Sequence, residues 1–304
     1  MSNFFDIIYN IIAPIFLVAG ISVVVDRVLA PDPRPISRLA IYLFTPFLVL
    51  NSLASSDLQA GETGRLALLA VAVSLGMTVI AWIVARAAGF DRRLESAFLL
   101  TAVLINAGNF GLALNRFAFG AEGEARALVF FVVTVVISNS FGVFLASRGS
   151  TSTRQAFLNV FKIPLPYAAA IGLILNLTDT ELPVPIARST ALLAQASVPT
   201  MLTVLGIQLS RTSLRGRIGP VLLASGLRLI VAPLLAVPLA LALGLSGLTR
   251  DVAIVQSAMP VAVVSGVLAT EFGSDADFVT ATILVSTLLS IVTLGILLAL
   301  LGVG

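Results

Sequence analysis

The sequence predicts an all-α integral membrane protein of ten transmembrane helices, arranged as two inverted five-helix repeats. Three observations carry that expectation: an apolar, charge-poor composition, ten apolar runs of spanning length, and arginines concentrated in alternate loops.

Of 304 residues, 58% are hydrophobic and 11% are charged, with a mean hydropathy of +1.07. Soluble domains run at about 45–50% apolar and about 25% charged, so a soluble fold of this composition would expose too much apolar surface. The chain has no cysteine and no histidine. That removes disulfides, thiolate chemistry, the commonest metal ligand and the usual general base. No HExxH, Ser–His or Cys–His arrangement is possible, so an enzyme is not expected, and no cofactor is called for. The net charge of +3 belongs to arginine-rich loops on an apolar body, which does not point to nucleic acid. Residues 1–10 lack the basic stretch and small-residue cleavage site of a signal peptide, so the first apolar run is expected to stay as a span.

A spanning helix needs about 20 mostly apolar residues. Runs of that kind lie at Ile7–Val25, Ile36–Leu53, Leu66–Arg86, Leu94–Ala113 and Leu128–Ser147. The polar stretch Arg148–Gln155 interrupts them. A second set follows at Ile163–Leu177, the shortest, then Ile186–Ser210, Pro220–Leu245, Asp251–Phe272 and Phe278–Leu301. Cytoplasmic loops are enriched in Lys and Arg. Loops after spans 1, 3, 5 and 7 hold Arg27, Arg34, Arg38, Arg86, Arg92, Arg93, Arg148, Arg154, Lys162, Arg211, Arg215 and Arg217; the other side holds only Arg65, Arg116, Arg126, Arg188 and Arg250. This split predicts both termini outside the cytosol, in a multi-pass protein of a bacterial inner (plasma) membrane.

The second half echoes the first. Pro46 in Thr45-Pro46-Phe47-Leu48 recurs as Pro199 in Val198-Pro199-Thr200-Met201, and Phe119-Gly120 recurs as Phe272-Gly273, both 153 residues on. Residues 1–147 and 157–304 are therefore read as two repeats joined by a short linker, 148–156. Each repeat holds an odd number of spans, so the second enters the membrane from the opposite side. That is the plan of many secondary transporters, whose ligand site lies where corresponding helices break near the midplane.

Two stretches at this offset make poor continuous helix. Span 4 carries Asn106, Gly108, Asn109 and Gly111 within a few residues; span 9 carries Met259-Pro260-Val261 and then Gly266. Gly costs about 1 kcal/mol relative to Ala in a helix interior, Pro lacks an N–H, and an Asn facing lipid would leave polar atoms unpaired. Broken helices present half-helix N-termini that favour an anion. Asn106, Gly108, Asn109, Gly111, Met259, Pro260 and Val261 are accordingly the candidate substrate-binding residues. Pro46, Pro199, Gly108, Gly111, Pro260 and Gly266 are the candidate breaks or hinges. The competing reading makes Gly108 and Gly111 close-packing contacts and Pro260 a simple kink.

The chain resembles the auxin efflux carriers of the plant PIN and bacterial type, within the bile-acid, arsenite and riboflavin transporter group. The resemblance rests on Asn106–Leu112, Thr45–Leu50, Val198–Leu209 ending in Leu-Gly-Ile-Gln-Leu, and Gln256–Gly266. It implies a scaffold of about 7–53 and 163–210, and a transport unit of about 66–147 and 220–301 that moves as an elevator. It also implies a homodimer and substrates such as auxin-like compounds or mono- and dicarboxylates. The family often has Pro shortly after the span 4 glycine, where this chain has Ala113. The long central loop of the plant proteins is missing.

In the resembled fold, Asn51 and Ser52 of span 2 and Asn139 of span 5 would complete a polar shell, although helix–helix hydrogen bonding would explain them as well. Arg228 is the one basic residue well inside a span. It reads either as an anion counter-charge or as a side chain snorkelling to the headgroups. The acidic residues lie in loops or near span ends, so a carboxylate proton relay has no home. The function expected is a secondary carrier of a small organic anion, driven outward by membrane potential. The alternatives are a sodium-coupled symporter of the bile-acid type, with Na+ as a coupling ion, and a non-transporting membrane sensor, for which a signalling domain after span 10 would be expected.

Overall fold

A computed structural model describes residues 4–146, 163–212 and 218–303. Among the described residues the chain is helical, with one isolated antiparallel β-bridge between Ile105 and Val261. Seven helices are long and apolar enough to cross a membrane: α1 Phe4–Leu29, α2 Pro33–Ala54, α3 Ala60–Ala87, α5 Ala107–Ala146, α7 Val184–Ser210, α8 Ile218–Ala242 and α11 Ala276–Leu300. Four shorter ones complete the set: α4 Arg92–Val103, α6 Leu165–Leu177, α9 Gly247–Ser257 and α10 Val264–Glu271. Among the described residues, these seven long helices and four shorter ones stand where ten spans were expected. The stretch Arg148–Gln155, together with Lys162, Arg215 and Arg217, lies outside the described residues.

Helix starts follow ordinary capping chemistry. Asp32, Asp91 and Asp275 each accept a backbone N–H at the first turn of α2, α4 and α11, satisfying donors that a helix cannot pair internally. Several loop acids are therefore there to begin helices. The expected connection between Ala113 and Leu128 shrinks to a break at Gly120. Helix α5 runs for 40 residues and is interrupted only at Gly120, whose φ of 70° and ψ of −159° suit glycine and few other residues. It has two limbs, residues 107–119 and 121–146, and Arg116 and Arg126 stand on these rather than in a loop.

The prolines do less than the sequence suggests. Helices α1, α2 and α8 each contain one turn of π-helix, at Ile8–Ile12, Ala40–Phe44 and Leu227–Val231. Each ends two residues before a proline: Pro14, Pro46 and Pro233. A proline ring clashes with the carbonyl one turn earlier and offers it no N–H; a widened turn absorbs both problems. Pro46 therefore sits in a helix that continues, and Pro199 follows a single turn residue, Ala196, inside α7. Two further π turns, Ala107–Leu112 and Ser138–Gly142, have no such proline.

Two sets of helix contacts stand out, although α5 also packs on α2 and α7 and one apolar cluster joins α1, α5, α7, α9 and α11. Within the first, Gly206 of α7 lies against the Ala19 carbonyl of α1, and Gly172 of α6 against the Leu50 carbonyl of α2. Thr45 and Ser197 share a buried 3.0 Å hydrogen bond between α2 and α7. Arg211 pairs with Asp26 at 2.7 Å and also donates to the Pro31 carbonyl, tying α7 to the end of α1. In the second group α3 packs on α4, α5 and α8, while α11 packs on α4, α8 and α10. Large apolar side chains such as Leu17, Ile21, Leu234, Leu241, Leu288 and Val292 point outward, which suits lipid rather than water.

Candidate functional site

Helix α4 stops at Val103 and α9 stops at Ser257; between these ends and the next helices the chain is unwound. Leu104 is extended, at φ −85° and ψ 112°, and Asn106 is non-helical, at φ −80° and ψ 53°. The two unwound segments meet antiparallel. Asn106 N–H donates to the Pro260 carbonyl at 2.8 Å, and Ala262 N–H donates to the Leu104 carbonyl at 2.9 Å. Ser286 Oγ of α11 accepts from Val261 N–H at 3.2 Å. Pro260 lies in this ladder with its carbonyl used and no N–H to satisfy. Backbone leaving two helices is thus paired strand to strand, as buried polar backbone must be.

Around this crossing several polar groups are deeply buried. Gln256 is fully buried and its Nε2 donates to the carbonyls of Ala127 at 3.3 Å and Ala107 at 3.5 Å. Its Oε1 has no partner, nor has Nδ2 of buried Asn106. Asn115 donates from Nδ2 to the Gly111 carbonyl at 2.8 Å, while its Oδ1 is unpaired. Unsatisfied buried polar atoms are rare in native folds and mark places where water, an ion or a ligand belongs.

The glycines of span 4 are there for space. A Cβ on Gly108 would lie 2.6 Å from the Phe131 ring, and one on Gly111 2.5 Å from Gln256 Oε1. Neither has a positive φ, so the close-packing reading describes both. Met259 packs in an apolar cluster with Phe110, Leu202, Leu205 and Ile15, and Val261 belongs to the main core. Asn109 is half-buried on the π turn Ala107–Leu112, and Gly266 lies within α10. Residues 252–262 are all buried, so the crossing is closed.

Other expected site residues are placed elsewhere. Asn51 accepts from Thr190 Oγ1 of α7 at 3.0 Å and donates to the Phe47 carbonyl; it joins α2 to α7, with half-buried Ser52 beside it. Asn139 donates to the Val135 carbonyl, and Ser138 and Ser140 bond back in the same way. These local bonds coincide with the π turn Ser138–Gly142, whose Gly142 approaches Leu104 at the crossing. Arg228 is 1% exposed and does not snorkel. Its Nη1 donates to the Ala102 carbonyl at 2.6 Å and its Nη2 to the Ser257 carbonyl. Gln256, Asn115 and Ser286 are not among the site residues expected, although Gln256 and Asn115 each stand four residues from a recognised break, Pro260 and Gly111.

A second polar cluster ties helix ends together. Arg126, with its side chain 7% exposed, pairs with Asp57 at 2.9 Å and Glu122 at 2.8 Å, and donates to Thr249 Oγ1 at 2.8 Å. Thr249 in turn donates to Glu62. The α2–α3 connection, α3, α5 and α9 are joined through one guanidinium. Hydrogen bonding to Glu122 and Arg126 holds Asp57 below the ordinary carboxylate range. An open cleft of about 370 Å³ also lies between α1 and the first limb of α5, lined by Asp6, Asn10 and Phe117 among others. None of the expected site residues lines it.

Comparison with known proteins points to membrane transport. A family profile described as membrane transport protein matches residues 150–298. An uncharacterized transporter of Methanothermobacter thermautotrophicus is 32% identical over 268 residues, covering 86% of this chain and 87% of that protein. An uncharacterized transporter of Methanocaldococcus jannaschii is 26% identical over 270 residues, with 86% and 87% covered. The chain is a multi-pass membrane transporter belonging to the membrane transport protein family, that of the auxin efflux carriers.

Proposed function

We propose that this transporter is a secondary carrier of small organic anions such as mono- and dicarboxylates, with its substrate site at the crossing of the two unwound segments. The observation that carries the reading is the buried, unpaired amide donor there, Asn106 Nδ2; the unpaired Gln256 Oε1 is an acceptor and suits a hydroxyl or other donor on the substrate. They sit beside backbone contributed by both halves of the chain. An amide N–H binds a carboxylate without the desolvation cost of a fixed charge, and the closed crossing corresponds to an occluded state.

The reading takes the chain across the membrane ten times. Forty helical residues would reach about 60 Å, twice the bilayer core, so α5 folds back at Gly120 and supplies two crossings. The first of these completes α4, and α10 completes α9, giving two inverted repeats. The packing supports a scaffold of α1, α2, α6 and α7, against which the remaining helices move as an elevator. Export, both termini outside, a bacterial inner membrane and a homodimer complete the proposal. An anion leaving a negative-inside cell gains about 2.3 kcal/mol per charge per 100 mV.

The test is a thermal-shift screen of purified protein against small carboxylates, with and without sodium. A carboxylate should raise the unfolding midpoint, and Asn106→Ala should weaken its apparent affinity about tenfold, the loss of one hydrogen bond to a charged group. Wild-type affinity in the Asn106→Ala protein would remove Asn106 from the site. A shift that appears only with sodium would favour the symporter reading.

A further inference from the structure

Arg228 heads the fully buried side chains by size, and among the described residues it makes no ion pair with a carboxylate. A charge without a counter-ion in a membrane interior is costly, so other groups must compensate it. The two carbonyls that do so stand at equivalent places. Ala102 is the penultimate residue of α4, and Ser257 is the last residue of α9. The final carbonyls of a helix have no partner within it and carry the negative end of its dipole, about half an elementary charge. One guanidinium therefore bridges two negative helix ends, one at each unwound segment, four residues before Asn106 and three before Pro260.

The planar fork of arginine suits this task, since Nη1 and Nη2 each reach a different helix from one rigid group. The widened turn Leu227–Val231 that precedes Pro233 contains Arg228 itself, so the local distortion of α8 and the placement of the charge coincide. In cation-coupled carriers, half-helix C-terminal ends and unwound carbonyls are where the ion is held. We propose that the Arg228 guanidinium is a built-in cation in that role: it neutralises the ends of α4 and α9 and holds the crossing together without a bound metal ion. Arg228 is then a positioning residue for the crossing and does not itself bind the transported anion.

This inference goes beyond the carrier reading and is tested without substrate, so either can fail alone. The apparent unfolding midpoint of the full-length protein in detergent is measured in sodium, lithium or N-methylglucamine chloride at equal ionic strength. The wild type should give one midpoint in all three. Arg228→Ala should lose about 5 °C or more in N-methylglucamine and regain at least half of that loss in sodium or lithium, as a small ion occupies the vacated carbonyls. A wild type stabilised by sodium, an unaltered Arg228→Ala midpoint, or a loss that no alkali cation restores would each overturn the proposal. If Arg228→Ala yields no folded protein, Arg228→Lys decides. A folded lysine variant indifferent to sodium supports the built-in cation; one that does not fold, or folds only with sodium, refutes it.

Discussion

At the scale of single residues, the decisive contacts are those between small backbone positions and large neighbours. Gly111 is required because the Gln256 amide lies over it, 2.5 Å from where a Cβ would be. Gly111→Ala should therefore lower stability by about 1–3 kcal/mol, the usual cost of overpacking. Adding Gln256→Ala should recover part of that loss, which a double-mutant cycle on unfolding midpoints would read. The glycines and asparagines of this stretch were legible in the sequence as an irregularity. Their reasons were not, because the partners Phe131 and Gln256 come from elsewhere in the chain. Arg228 shows the same limit: its depth in a span was plain, but its two acceptors, Ala102 and Ser257, become neighbours only when α4 and α9 end side by side.

At the scale of elements, proline and glycine play opposite parts from those their reputations suggest. Three prolines sit two residues after a widened turn and leave their helices running on, whereas one glycine, Gly120, interrupts α5. Pro46→Ala should accordingly change stability by no more than about 1 kcal/mol, since the alanine regains an N–H and the turn can close to α. A large loss of folded protein in this variant would show that the π turn is itself needed. Apolar run length located the long helices well. It could not reveal that residues 114–127 are helical, because a loop and a helix pair hinged on one glycine carry similar polar residues, here Arg116, Glu122, Glu124 and Arg126.

At the scale of the whole molecule, composition alone fixed the solvent, and the matched breaks in spans 4 and 9 pointed to the crossing. The ion cluster that joins the helix ends was not legible, since its members come from three distant stretches: Asp57 and Glu62, Glu122 and Arg126, and Thr249. Its pH response follows from Asp57, held below the usual carboxylate range by its partners. A depressed carboxylate stabilises the fold above its unfolded pKa, and that contribution disappears as pH falls through the folded value. Unfolding midpoints should thus drop on acidification below about pH 4, and Asp57→Asn should flatten that drop.

The central claim, that the crossing receives the transported anion, is open to a direct measurement because the chain has no cysteine. Half-buried Asn109, replaced by Cys, becomes the sole thiol and can be probed with a membrane-impermeant reagent in right-side-out and inside-out vesicles. The account predicts labelling from both sides, slowed by any carboxylate that raises the unfolding midpoint. A thiol that stays unlabelled from either side, or labels at a rate no such carboxylate alters, would contradict it.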